Sequence, residues 1–223
     1  MFDLVINGGT IIDGTGKQAF EGDIAIKGEY ISQMGDMKHA PAKQRIDASG
    51  CLVTPGFIDV HSHGDTSILV NPQTESKIRQ GITTQIAGNC GSSAFPLKGE
   101  RYKEVRENLE KYGLPLDWDT AEGYFKRVEE TRPAINTASF VGQGSIRASV
   151  IGEKDVPADA EKMREMKEEV GKAMDAGAIG MSTGLIYAPG YFASQEELIE
   201  LMSVSAARRG LYSSHIQIGR AHV

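Results

Sequence analysis

His61 and His63 stand two residues apart in TPGFIDVHSHGD, directly after the apolar run Phe57 to Val60. If that run is a strand, its period of two sends both imidazoles to the same face. Neutral imidazole is the commonest protein ligand for a metal ion, so a paired His at a strand end points to a metal site. A structural or solvated pair is the alternative. Cys90, in AGNCGSS, lies just past a second apolar run, between Gly88 and Gly91. As a thiolate it is a soft ligand suited to zinc; as a thiol it is a small buried hydrophobe. His215, in YSSHIQ, ends a later run and taken alone reads equally as structural. With His61, His63 and Cys90 it places nitrogen and sulfur donors at the same end of three strands, a mixed set that suits Zn²⁺. Cys51, in SGCLVTPG, reads as core, and His39, in MKHAPAK, as exposed and idle.

Donors at strand ends need strands in register. From Pro55 the sequence alternates apolar runs with helical stretches. The strands are Phe57 to Val60, Ile82 to Ala87, Ile135 to Val141, Ala178 to Ser182 and Leu211 to Ile216. Between them, Asn71-Pro72 reads as an N-cap and first helical residue with Gly81 as the stop. A long loop spans Gly88 to Gly99, and helices are expected over Glu100 to Tyr112 and Thr120 to Thr131, the latter opened by Asp119 with Glu122. Pro157 to Ala176 is the longest helix, ended by Gly177, and Ser194 with Glu197 forms a capping box for a helix reaching Arg209. Five apolar strands alternating with helices imply parallel βα units, in a doubly wound sheet or a barrel. The first strand ends in His-x-His where a dinucleotide fold wants G-x-G-x-x-G, which favours the barrel. A whole barrel takes about 250 residues, so the five strands here make about five of its eight.

Residues 1 to about 55 differ in texture. Short apolar pieces, Leu4 to Ile6, Thr10 to Ile12, Asp23 to Ile26 and Tyr30 to Met34, are separated by Asn7-Gly8-Gly9, Asp13-Gly14 and Lys27-Gly28-Glu29. This reads as a small β-domain of strands and tight turns. Gly16-Lys17 is no phosphate loop, because Ile11 stands where the leading Gly is required and Gln18 replaces the Ser or Thr. The final residues, IGRAHV from Ile218 to Val223, read like a translated sequencing-adapter tract, a non-native tail in which His222 has no role.

The 223 residues carry 24 basic and 30 acidic side chains, a net charge of −6, with 40% apolar residues. That is globular composition, and the absence of a basic cluster argues against nucleic-acid or anionic-membrane partners. Two cysteines make no disulfide framework, no apolar run approaches a membrane span, and the first ten residues are not a signal peptide. A cytoplasmic enzyme acting on a small molecule is the expectation.

The segments DLVINGGTIIDGTG, GDIAIKGEYIS, IDASGCLVTPGFIDVHSHGD, GITTQIAGNCG, AGAIGMSTGLIYAPG and SSHI resemble the amidohydrolase superfamily. The Cys after the second strand and STGLIYAPG are more specific, and resemble its N-acyl-D-amino-acid deacylase (D-aminoacylase) family. The resemblance implies an α/β fold: a partial (β/α)8, TIM-type metal-dependent hydrolase barrel over 55–217, preceded by 1–54 as the N-terminal part of a small β-sandwich domain. It implies one or two zinc ions and hydrolysis of N-acyl-D-amino acids to a carboxylate and a D-amino acid. His61 and His63 match the strand-one metal ligands, Cys90 the Cys ligand of this branch, and His215 the strand-five His. The family's strand-six His and its strand-eight Asp, the general base, have no counterpart here, so the base is expected beyond the end of this chain. Tyr187 matches a substrate-contacting residue, with a loop-packing aromatic as the alternative. Arg147 also falls at a substrate-binding place, and reads equally as a loop anchor. Gln143 stands where many relatives carry His, so it receives no role. Cyclic amidases of the superfamily use a carbamylated Lys at the end of strand four; AIGMSTG contains none, which disfavours that alternative. A last alternative is that the 223-residue polypeptide is an inactive truncated fragment.

Overall fold

The computed structural model describes residues 1–215, so Ile216, Gln217 and the expected tail lie outside the described residues. Met1–Gly56 forms one unit and the chain from Phe57 another.

In the first unit the long strand β1 (Phe2–Ile11) is central. It pairs antiparallel with β2 (Phe20–Lys27) and parallel with β4 (Ala42–Asp47) and with the short β5 (Leu52–Val53); β3 (Tyr30–Gly35) adds to the outer side of β2. The sheet is single among the described residues. Asn7-Gly8-Gly9, expected as a turn, is instead a bulge inside β1, where the register with β2 shifts between Ile6 and Gly9. Turn and bulge make the same demand on the backbone: Gly8 has φ +70°, and a Cβ on Gly9 would lie 2.4 Å from Val53 Cγ2. Asp23 fixes the bulge, accepting from Gly8 N at 2.8 Å and Met37 N at 2.7 Å. Val5, Ala25 and Met37 make the small core. Cys51 is exposed, contrary to the core reading; its backbone serves the sheet edge while its side chain faces out.

In the second unit all strand pairs are parallel. β6 (Phe57–Asp59), β7 (Ile82–Ala87) and β8 (Asn136–Ser139) form one sheet; β9 (Val141–Gly142), β10 (Gly180–Gly184) and β11 (Leu211–His215) form another. β8 and β9 are the two halves of the expected third strand, parted at Phe140. The first half pairs with β7 and the second with β10, so the five strand positions follow one another around an arc of the (β/α) barrel.

The helices cover the outside of this arc. Where one helix was expected after the first strand there are two single turns, α1 (Ser67–Val70) and α2 (Glu75–Ile78), because Pro72 cannot continue α1 and Asn71 becomes its C-cap. α3 (Gly99–Glu110) and α4 (Ala121–Thr131) follow β7. Thr120, one residue after the expected Asp119, caps α4 by accepting from Gly123 N. α5 (Gln143–Val150), absent from the sequence reading, starts directly after β9. α6 (Ala160–Asp175) and α7 (Gln195–Ala207) are capped by Asp159 and Ser194. Strand and helix side chains meet in a core that includes Phe95, Trp118, Tyr124, Ile146, Met166, Met181 and Leu201. No helix among the described residues is long and apolar enough to cross a membrane.

Candidate metal centre

His61 and His63 follow β6, their ring centroids 5.5 Å apart at an interplanar angle of 66°. Ser62, between them, turns to the opposite side and is buried. There it accepts from Lys77 Nζ at 2.8 Å and from Gly64 N at 3.1 Å, and donates to Gln85 Oε1 at 3.1 Å. Lys77 also pairs with Asp59 at 2.7 Å, which holds the Asp59 carboxyl below the usual carboxylate range. Asp59 in turn accepts from His61 N at 3.3 Å. The polar network on one side thus fixes the turn that aims both imidazoles to the other.

Cys90 reaches the histidines through a narrow crossing. It adopts φ +55°, a left-handed conformation uncommon for a residue with a side chain. The loop around it runs close against β9 and β10. A Cβ on Gly88 would lie 2.1 Å from Phe140 O, and one on Gly184 would lie 2.1 Å from Cys90 O. Ser182 locks the crossing, accepting from Gly91 N at 3.0 Å and donating to Gly88 O. From the other side Asp65 accepts from Gly88 N at 2.9 Å, while its own carbonyl accepts from Tyr124 Oη at 2.8 Å. Asp65 therefore joins the loop carrying His63 to the loop carrying Cys90. Desolvation pushes its carboxyl up to about 6, against the amides that favour its charge.

The result is a compact set of soft and borderline donors. Cys90 Sγ lies 3.2 Å from His61 Nε2 and 3.3 Å from His215 Nδ1. One donor atom from each of His61, His63 and Cys90 falls within 4.8 Å of the others. A sulfur and a nitrogen on one tetrahedral zinc, with Zn–S about 2.3 Å and Zn–N about 2.0 Å, sit about 3.6 Å apart, so the two sulfur–nitrogen spacings of Cys90 fit a shared ion. Cys90 is 9% exposed, and burial raises its thiol pKa. A cation among the imidazoles would reverse that preference and release the proton.

Tyr187 is brought to the same place. Its ring meets that of His215 edge-on, centroids 5.4 Å apart at 80°. With His63, Cys90, Arg101 and Glu153 it lines a cavity of about 330 Å³. Arg147 is not brought there, and the expectation that it binds substrate is corrected. Its side chain is wholly buried, ion-paired with Glu197 and donating to Val156 O, which leaves it no surface to offer a ligand. Gln143 joins the same network, donating to Glu197 Oε1 at 3.0 Å. The group therefore ties the start of α5 to the start of α7, and Arg147 is an anchor. Two residues missed in the sequence belong here. Asp65 follows the His-x-His directly and could have been flagged by position; Arg101, in a helical stretch, carried no signal.

The family model of the amidohydrolases matches residues 44–216. The N-acyl-D-glutamate deacylase of Alcaligenes xylosoxydans xylosoxydans is 43% identical over 218 residues, covering 96% of this chain and 44% of that protein. The D-aminoacylase of the same organism is 36% identical over 222 residues, covering 100% and 46%. The crystal structure of the N-acyl-D-glutamate deacylase of Bordetella bronchiseptica, complexed with zinc and a phosphonate mimic of the tetrahedral intermediate, superposes with a TM-score of 0.88 at 38% identity, covering 97% of this chain and 45% of that one. The chain spans somewhat less than half the length of these relatives. A match that takes in every one of the converging donors, carried by the same arc of barrel strands, makes this chain a member of the amidohydrolase family.

Proposed function

We propose that the full-length protein hydrolyses N-acyl-D-amino acids to a carboxylate and a D-amino acid, with one or two zinc ions held by His61, His63, Cys90 and His215. The observation that carries this reading is Cys90 Sγ lying between His61 Nε2 at 3.2 Å and His215 Nδ1 at 3.3 Å. The similar zinc-containing deacylase of Bordetella bronchiseptica supports both the metal and the substrate class. Zinc supplies Lewis acidity there, lowering the pKa of a water molecule and polarising the amide carbonyl.

The chain's own residues bind and orient. The thiol of Cys90 gives up its proton when the site is loaded and contributes a fixed negative charge deep in the barrel mouth. Tyr187, half exposed on the cavity wall, presents its ring and hydroxyl to the substrate and packs His215 in place. Lys77 and Asp59 hold the turn of His61, and Asp65 holds the two donor loops at constant separation. A free buried thiol suits a reducing compartment, which supports a cytoplasmic location.

The test is zinc analysis of the full-length protein, with N-acetyl-D- and N-acetyl-L-amino acids as substrates. We expect bound zinc, its loss in Cys90→Ala, and turnover of the D series. No zinc, or turnover of the L series alone, overturns the reading.

A further inference from the structure

Two cavities share His63 as a lining residue. The one described above, of about 330 Å³, holds Cys90 and Tyr187; the second, of about 370 Å³, mixes apolar side chains such as Val70, Val105 and Leu109 with polar ones such as Asn71 and Asn108. His63, Ser92 and Arg101 line both. Among the described residues Arg101 is the one Lys or Arg side chain on either cavity wall.

Arg101 sits in the first turn of α3, where the helix dipole adds to its positive potential. One nitrogen of its guanidinium donates to Ser92 Oγ at 3.2 Å and another pairs with Glu104 Oε2 at 3.0 Å. The Glu104 side chain is 60% exposed, and an exposed pair of this spacing contributes little, so a ligand carboxylate exchanges with it at small cost. Two other acids line the cavity walls, and neither forms an ion pair with Arg101 among the described residues: Glu153 is exposed, and Asp65, although within reach of the Arg101 charge, accepts from Gly88 N instead.

Arg101 makes no hydrogen bond to His61, His63 or Cys90 among the described residues, and its side chain, 28% exposed, stands at the solvent-facing rim of the cavities. The α-carboxylate of an N-acyl amino acid lies only about 2.5 Å from the scissile nitrogen, which confines it near the donor cluster. A side-chain carboxylate extends about 2.5 to 4 Å beyond Cα, toward that rim. We propose that Arg101 is a specificity-determining residue that pairs with the side-chain carboxylate of acidic N-acyl-D-amino acids, those of glutamate and aspartate. The inference rests on the deacylase reading above.

The experiment is steady-state kinetics of the zinc-loaded full-length protein on N-acetyl-D-glutamate and N-acetyl-D-leucine, for the unsubstituted protein, Arg101→Gln and Arg101→Lys. A charge-assisted hydrogen bond predicts that the ratio of kcat/KM, glutamate over leucine, falls by about 10- to 100-fold in R101Q, mainly through KM. The ratio in R101K falls less, because a point charge replaces the planar fork. A ratio that stays constant, or a loss shared equally by both substrates, overturns the inference and leaves the deacylase reading intact. No turnover of either substrate by the unsubstituted protein overturns the deacylase reading itself, and the inference with it. If R101Q does not fold, R101K carries the test: an unchanged ratio and KM for glutamate there overturns the assignment.

Discussion

Each unit contains a glycine-rich crossing anchored by an aspartate that accepts a glycine amide, and the two aspartates are driven in opposite directions. In the first unit Asp23 receives Gly8 N on one carboxylate oxygen and Met37 N on the other, and these amides hold its pKa below the usual value. In the second, Asp65 receives Gly88 N, yet desolvation outweighs the amides and lifts its pKa to about 6. The local motif is the same; at Asp23 the two amides, with Asn7 and Arg45 nearby, outweigh desolvation, whereas at Asp65 desolvation is the largest influence. The glycines differ as well. Gly9 must be small because of a side-chain methyl, Val53 Cγ2, whereas Gly88 must be small because of a backbone oxygen, Phe140 O.

The largest contrast is expected from the glycines. Gly88→Ala meets a carbonyl that cannot move and a φ of +69° that Ala resists, so it should destabilise the second unit by about 3 kcal/mol or more. Gly9→Ala meets the Val53 Cγ2 methyl, which yields only by a change of the stiff valine χ1 but is not fixed backbone, and about 1 to 2 kcal/mol is expected. Denaturant unfolding of both variants measures the difference; equal losses would break the distinction between rigid and compliant crossings.

Next come the anchors. Asp65→Ala should weaken zinc affinity about tenfold, the low end for a residue that orients ligands from behind, while Asp65→Asn, which keeps an acceptor for Gly88 N, should lose less. Competition with a chelator reads both. Asp23→Asn should leave zinc affinity unchanged and instead alter acid stability. The folded pKa of Asp23 is depressed, so its stabilisation is present above the unfolded value of 3.8 and drains away as pH falls through the folded one. Melting curves from pH 5 to pH 2 should therefore flatten in the variant. The smallest effect belongs to a pair with no anchoring role: Lys103→Ala, which removes the exposed contact with Glu100, should move stability by less than about 0.5 kcal/mol.

Much of this was legible in the sequence. The alternation of apolar runs and helical stretches gave the barrel arc; the strand period expected for His61 and His63 does not reach them, because β6 ends at Asp59 and a turn held by Lys77 and Asp59 sets their direction instead. What was not legible depends on partners far along the chain. Arg147 looked available because a charge after a strand usually is; its burial follows from Glu197, 50 positions later. α5 was hidden because Gly142-Gln143-Gly144-Ser145 has the composition of a loop, and only packing of Ile146 into the core makes it a helix. Asn7-Gly8-Gly9 gave the right dihedral demand and the wrong object, since bulges and turns share it.

The break at Phe140 has a further reach. Its N–H donates to Ala87 O, the last residue of β7, while its carbonyl oxygen is the surface against which Gly88 lies. One residue thereby parts the two halves of the strand and forms the seat on which the cysteine loop rests. Curvature of the scaffold and the position of the Cys90 loop are therefore coupled: straightening this strand would move the carbonyl oxygen on which Gly88 rests, and the sulfur with it.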